Sequence, residues 1–181
     1  MNKIKNIVFS LLFLFIIGCG TLDTKMMLSE YENAEEIKEL LLAFSEREKY
    51  YSYGFEVGSF QKEGYVNVEI EDFQTLDEVK EYFFIVCTEG FCEKRQMFTG
   101  NVPRWMEKDG ILFQSMADGM WMPISDEQLY KSTVSYGGEE TILVQVPFLS
   151  NVSGDVYYME YYIVETEKGL RVDRAEELVE E

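Results

Sequence analysis

Two runs decide the fold: Glu140-Thr-Ile-Leu-Val-Gln-Val-Pro-Phe148 and Val156-Tyr-Tyr-Met-Glu-Tyr-Tyr-Ile-Val-Glu165, joined across a turn at Asn151 to Gly154. Both read as strands, and the second carries four Tyr. Working outward, Gly137-Gly138 separates Leu129–Tyr136 from the first run, and Lys168-Gly169 turns the second into Leu170–Asp173. Asp109-Gly110 lies between Arg104–Glu107 and Ile111–Ser115, with Asp118-Gly119 just beyond; both pairs are hairpin-type turn signals. Met120 to Ile124 reads as a further short strand, and Arg174 to Glu181 as a last helical turn.

Upstream the period changes. Ala34, Ile37, Leu41, Phe44 and Tyr51 recur at helical spacing behind Asn33 and Glu36, predicting a helix over about 34–50. Tyr65 to Ile70 alternates like a half-buried strand. Thr75 with Glu78 is a capping box, and Leu76, Val79, Phe83 and Val86 continue it as a second helix that Gly90 ends, with a short helical piece from about 92 to 98. Helices first and antiparallel strands after them predict an α+β domain, its N-terminal helices packed on a twisted antiparallel sheet of four or more strands.

The N-terminus reads as an export signal. Lys3 and Lys5 precede the apolar run Ile7 to Ile17, which is too short for a bilayer span of roughly 20 residues. Ile16-Ile17-Gly18-Cys19 reads as a lipobox. The organisation expected is a lipoprotein signal peptide over 1–18, a lipidated Cys19 and tether over 19–28, and a single domain over 29–181. Two or more acyl chains on Cys19 would fix the protein to the extracytoplasmic face of the cell membrane.

Composition narrows the function classes. The chain has 16 Lys+Arg, 34 Asp+Glu and no His, for a formal charge of −18. Losing Lys3 and Lys5 leaves 14 basic against 34 acidic residues, or −20. Such a chain is repelled by nucleic acid and by anionic lipid and wall polymers, and attracts basic proteins or cations. Lack of His removes Ser-His and Cys-His catalysis and the commonest zinc ligand. We read no catalytic set, no metal-ligand set and no cofactor, and expect a non-enzymatic monomer. Cys87 and Cys92, expected outside the cell, read as a disulfide if the chain breaks at Gly90, or else as two buried thiols.

The most distinctive internal stretch is Trp105 to Trp121. Trp105, Met106, Asp109, Asp118, Met120 and Trp121 on adjacent turns suit a partner-binding rim. The other reading, which such aromatics more often bear out, is that they roof the core of a small domain. Glu160 is the carboxylate that a water-shielded pocket would use; the alternative is an outward-facing strand position.

The N-terminal helix ending near Tyr50-Tyr51, Thr75-Leu-Asp-Glu-Val-Lys-Glu-Tyr-Phe, and Glu107-Lys-Asp-Gly-Ile-Leu-Phe with Ala117-Asp118-Gly119 resemble the IseA (YoeB) family of bacterial DL-endopeptidase inhibitors. The resemblance spans about Asn33 to Leu178. It implies a protein that binds and restrains NlpC/P60-type peptidoglycan hydrolases. The lipobox and the Cys87/Cys92 pair depart from that family's pattern. A cystatin-like or NTF2-like lipoprotein, binding a small molecule or another envelope protein, shares the layout.

Overall fold

A computed structural model describes residues 25–69, 72–116, 121–138, 140–150 and 153–178. The fold is α+β, as expected, but its strands form two antiparallel sheets rather than one. The five-stranded sheet runs β1 (Met26–Met27), β6 (Thr133–Tyr136), β7 (Thr141–Leu149), β8 (Val156–Thr166) and β9 (Gly169–Leu178). The four-stranded sheet runs β2 (Val57–Lys62), β3 (Tyr65–Val68), β5 (Ile111–Ser115) and β4 (Trp105–Lys108). The helices are α1 (Ala34–Tyr53), α2 (Leu76–Phe84), α3 (Glu89–Lys94) and α4 (Asp126–Tyr130).

The runs Thr141–Leu149 and Val156–Thr166 are the backbone of the larger sheet. β7 alternates, with Ile142, Val144, Val146 and Phe148 on the buried face. Each pairs with a residue of β8 in register, so Val144 faces Tyr161 and Ile142 faces Ile163. Ile37, Leu41 and Phe44 of α1 are buried with that face, and Phe44 meets Tyr161 edge to face at 5.7 Å.

α2 begins where its capping box places it: the Thr75 hydroxyl accepts from Glu78 N–H, and Glu78 returns the bond to the Thr75 N–H at 2.9 Å. Glu107 of β4 accepts the Leu76 N–H at 3.0 Å, placing a second carboxylate at that helix start. Asn33 is the N-cap of α1, but its side chain makes no cap bond. The β4–β5 hairpin turns at Asp109 and Gly110, with φ of 57° and 74°. Positive φ at both central residues is what a primed hairpin turn demands.

One glycine is required by its surroundings. At Gly54 φ is +83°, and a Cβ there would sit 2.6 Å from the Gln114 side chain. Gln114 is buried in β5 and reaches across to the neighbouring residue: its Oε1 accepts Phe55 N–H at 2.8 Å and its Nε2 donates to Phe55 C=O at 2.9 Å. One amide thus satisfies both backbone groups where the chain leaves α1.

Several expectations are corrected. The tail is strand, not helix, through Leu178, because its backbone completes a ladder on β8. Gly90 does not end the second helix; it lies inside α3, which Thr88 caps, and the break falls at Ile85–Thr88. No strand occupies Trp121 to Ile124, and Leu129 belongs to α4 rather than to a strand. Met26–Met27 pairs with β6 and Leu28 is fully buried, so the fold includes residues of the stretch read as a tether. Cys19 and the leader lie outside the described residues. Among the described residues, no helix is long and apolar enough to cross a membrane.

Candidate functional site

Ser45, buried on α1, organises the site. Its carbonyl accepts the Trp121 indole N–H at 2.7 Å, and its hydroxyl accepts the Ile124 backbone N–H at 2.9 Å. A single residue therefore holds both ends of Trp121–Ile124 against the helix. Trp121 also meets Tyr53 edge to face, and the Lys49 ammonium lies 5.9 Å from its ring. Beyond this strap Ser125 caps α4 in a second capping box, and Gln128 Nε2 donates to the Pro147 carbonyl at 3.1 Å, fastening α4 to β7.

Hollows lie on both sides of the strap, and Trp121 and Met122 line each of them. The outer one is an open groove of about 970 Å³ over the β7–β8 turn. Its floor includes Met122, Pro123, Phe148 and Tyr157, with the Phe148 and Tyr157 rings stacked at 5.7 Å. The Tyr157 hydroxyl contacts the Met122 sulfur. Its rim carries Glu127, Lys131, Asp155 and Glu177. Lys131 is ion-paired with Glu127 at 2.6 Å, so the net rim charge comes from Asp155 and Glu177. Burial, with Glu177 nearby, raises the Tyr157 pKa and keeps that hydroxyl protonated.

The inner hollow is smaller, about 350 Å³, and its polar groups converge. Phe44, Trp121 and Met159 supply apolar walls; Glu48, Arg95 and Tyr161 supply polar atoms. Arg95 donates to Glu48 at 2.6 Å and stacks over the Tyr51 ring at 3.9 Å. Burial opposes the Arg95 charge, but Glu48 and Tyr51 outweigh it and its pKa is raised. Tyr161 is only 5% exposed, and burial reinforced by Glu48 pushes its pKa up. Its hydroxyl makes no hydrogen bond among the described residues.

The described members of the expected rim, Trp105, Met106, Asp109 and Trp121, do not gather on one surface. Trp105 is 0% exposed, against the Phe83, Phe55 and Phe98 rings, with centroids 5.0, 5.5 and 5.9 Å away. That corrects its assignment as a contact residue: it is core. Met106 is half-buried on β4, and Asp109 is exposed at the hairpin tip of the four-stranded sheet. Among the described members, Trp121 alone lines the groove. Asp118 and Met120 lie outside the described residues.

Glu160 is corrected as a pocket acid. It shares the β8 face with Tyr158 and Tyr162, opposite the face on which Tyr161 meets α1. It is nonetheless only 8% exposed, because Gln145 and Tyr162 cover it with hydrogen bonds of 2.6 and 3.0 Å. Tyr161, next in sequence, is the residue that faces the inner hollow.

Cys87 follows α2 and Cys92 lies on α3; both are buried and stand as free thiols. Burial, then the hydrogen bond that its S–H donates to the Cys92 sulfur, raises the Cys87 pKa well above the ordinary thiol value, so it is no activated nucleophile. Among the described residues, no group of three or more carboxylates or thiols is placed to hold a metal ion.

Compared with known proteins, the sequence matches no family model, and no curated protein is significantly similar to it. The functional reading therefore rests on the site itself.

Proposed function

We propose that the protein is a membrane-anchored, extracytoplasmic binding lipoprotein without catalysis of its own, which docks and inhibits a cationic NlpC/P60-type peptidoglycan endopeptidase. The observation that carries this reading is the outer groove: an open, apolar-floored channel whose unbalanced rim charges, Asp155 and Glu177, are both acidic. A formal charge of −18 extends the same sign over the whole chain. Attraction over about a Debye length would speed encounter with a basic enzyme, and the groove would supply apolar contact. Trp121 is the aromatic anchor of that surface, held by its bond to Ser45 yet still partly exposed.

The test is peptide-bond cleavage of peptidoglycan by purified NlpC/P60 enzymes, with and without the protein. Inhibition is expected at micromolar protein and should weaken as salt rises. Reversing the rim with Asp155→Lys and Glu177→Lys should weaken it by about tenfold or more, mainly through the on-rate. No inhibition across several such enzymes, in low and physiological salt, would refute the proposal.

A further inference from the structure

The inner hollow behind Trp121 has the make-up of a ligand site independent of anything that occupies the groove. Pockets that hold small molecules combine apolar walls with a few convergent polar groups. Here the walls are Phe44, Trp121, Met122 and Met159, and the polar groups are Glu48, Arg95 and the Tyr161 hydroxyl. The volume of about 350 Å³ equals roughly a dozen water molecules of liquid, enough for a single aromatic ring with a short polar head.

The unused hydrogen-bonding groups define that head. Arg95 gives one N–H to Glu48 and is oriented by stacking on Tyr51, leaving further guanidinium N–H groups. Glu48 receives Arg95 at Oε1, and Oε2 is not engaged among the described residues. Tyr161 keeps its proton and has no partner for it among the described residues. The site therefore offers donors beside one acceptor. Its charges already balance as an ion pair, so an incoming ion would lose hydration without gaining a net counter-charge.

We infer that this cavity binds a small neutral carboxamide attached to an aromatic or similarly flat apolar body. The amide oxygen would accept from Arg95 and Tyr161, the amide N–H would donate to Glu48 Oε2, and the ring would lie between Phe44 and Trp121. A carboxamide fits because it satisfies both kinds of group without breaking the Glu48–Arg95 pair.

The experiment uses the full chain in detergent and follows the two indole N–H signals by NMR during titration with benzamide. Benzoate and benzylammonium, which share the ring but carry opposite charges, are titrated in parallel. Benzamide should shift the Trp121 signal saturably, with a Kd of about millimolar for so small a fragment, and leave buried Trp105 unmoved. Both charged analogues should bind at least several-fold more weakly. Tyr161→Phe, which removes only the hydroxyl, should weaken benzamide about 5- to 10-fold. Ala175→Leu should abolish binding by filling the cavity from β9, with near-UV circular dichroism checking that each variant is folded. Absence of a saturable Trp121 shift, equal shifts at both tryptophans, tighter binding of either charged analogue, or an unchanged Kd in folded Tyr161→Phe would overturn the inference. Because no hydrolase is present, the result is independent of the proposed inhibition.

Discussion

Trp105 is sealed among the rings on the four-stranded sheet, with its indole N–H unsatisfied among the described residues. Trp121, beside the larger sheet, stays partly exposed, satisfies its N–H on Ser45, and lines a hollow on each side. The first fills space at the expense of a hydrogen bond; the second keeps its hydrogen bond and leaves space open. In this chain the tryptophan that lines open space is the one whose polar end is held while its ring remains unpacked.

Truncating the two residues should have the largest and most unequal effects. Trp105→Ala should cost about 3–5 kcal/mol in urea unfolding, as large buried side chains do. Trp121→Ala should cost about 1–2 kcal/mol, for one hydrogen bond and partial burial, and should instead weaken hydrolase inhibition. Equal stability losses would erase the distinction between filler and strap.

The polar ties beneath each region come next. Gln114→Ala strands two buried backbone groups of Phe55, for an expected loss of about 2–4 kcal/mol. Ser45→Ala removes one bond, to Ile124, and should cost about 1 kcal/mol while loosening the strap and enlarging fluctuations at Trp121. Relaxation-dispersion NMR at the Trp121 indole reads that loosening directly.

Helix caps sharpen the comparison at smaller magnitude. Thr75→Ala and Ser125→Ala should each lose about 1 kcal/mol. Only Ser125→Ala should also weaken groove binding, since its partner Gln128 fastens α4 to β7.

A pH effect belongs to the larger sheet. Tyr162 is pushed up to about 12, first by burial and then by its bonds to Glu176 and Glu160. A folded pKa above the unfolded 10.0 contributes stability that is complete below pH 10 and lost as pH rises towards 12. Denaturation followed across that window should show the fall, and Tyr162→Phe should reduce it, leaving the part contributed by Tyr31, which is also pushed up to about 12.

The smallest change is one of mass. If export oxidises Cys87 and Cys92, the native protein will be lighter by its two thiol hydrogens and will resist alkylation until reduced. Two thiols that react with an alkylating agent after non-reducing denaturation would show that the pair stays reduced.

Much of the fold was legible because it is written locally. Thr75 with Glu78, and Asp109 with Gly110, each settle an element edge within a few residues. The tail from Arg174 misleads because Ala175-Glu-Glu-Leu178 has helical propensity, which pairing with β8 overrides. The five-residue α4 announces itself only through Ser125 and Gln128, a capping pair easily lost behind an apparent strand. The groove was not legible, because its walls come from Trp121–Lys131, Pro147–Ser150, Ser153–Tyr157 and Glu177, and no sequence period links them. Tyr161 was missed for a related reason: with a period of two, the tyrosines of β8 divide between faces, and only pairing with β7 and α1 decides which face is inward.

The edges of the larger sheet bear on how many copies can share a surface. A chain held by one end on a membrane meets its own kind far more often than one diffusing in three dimensions, and a free strand edge would then nucleate aggregation. Here the inner edge is covered by β1, two residues long. The outer edge is stapled at Val172, whose N–H goes to Val86 and whose carbonyl accepts from Thr88. Past the staple, Arg174, Glu176 and Glu177 line the strand with charge. Under the proposed lipid anchoring, edges protected in this way should keep densely packed neighbours separate rather than zipped together.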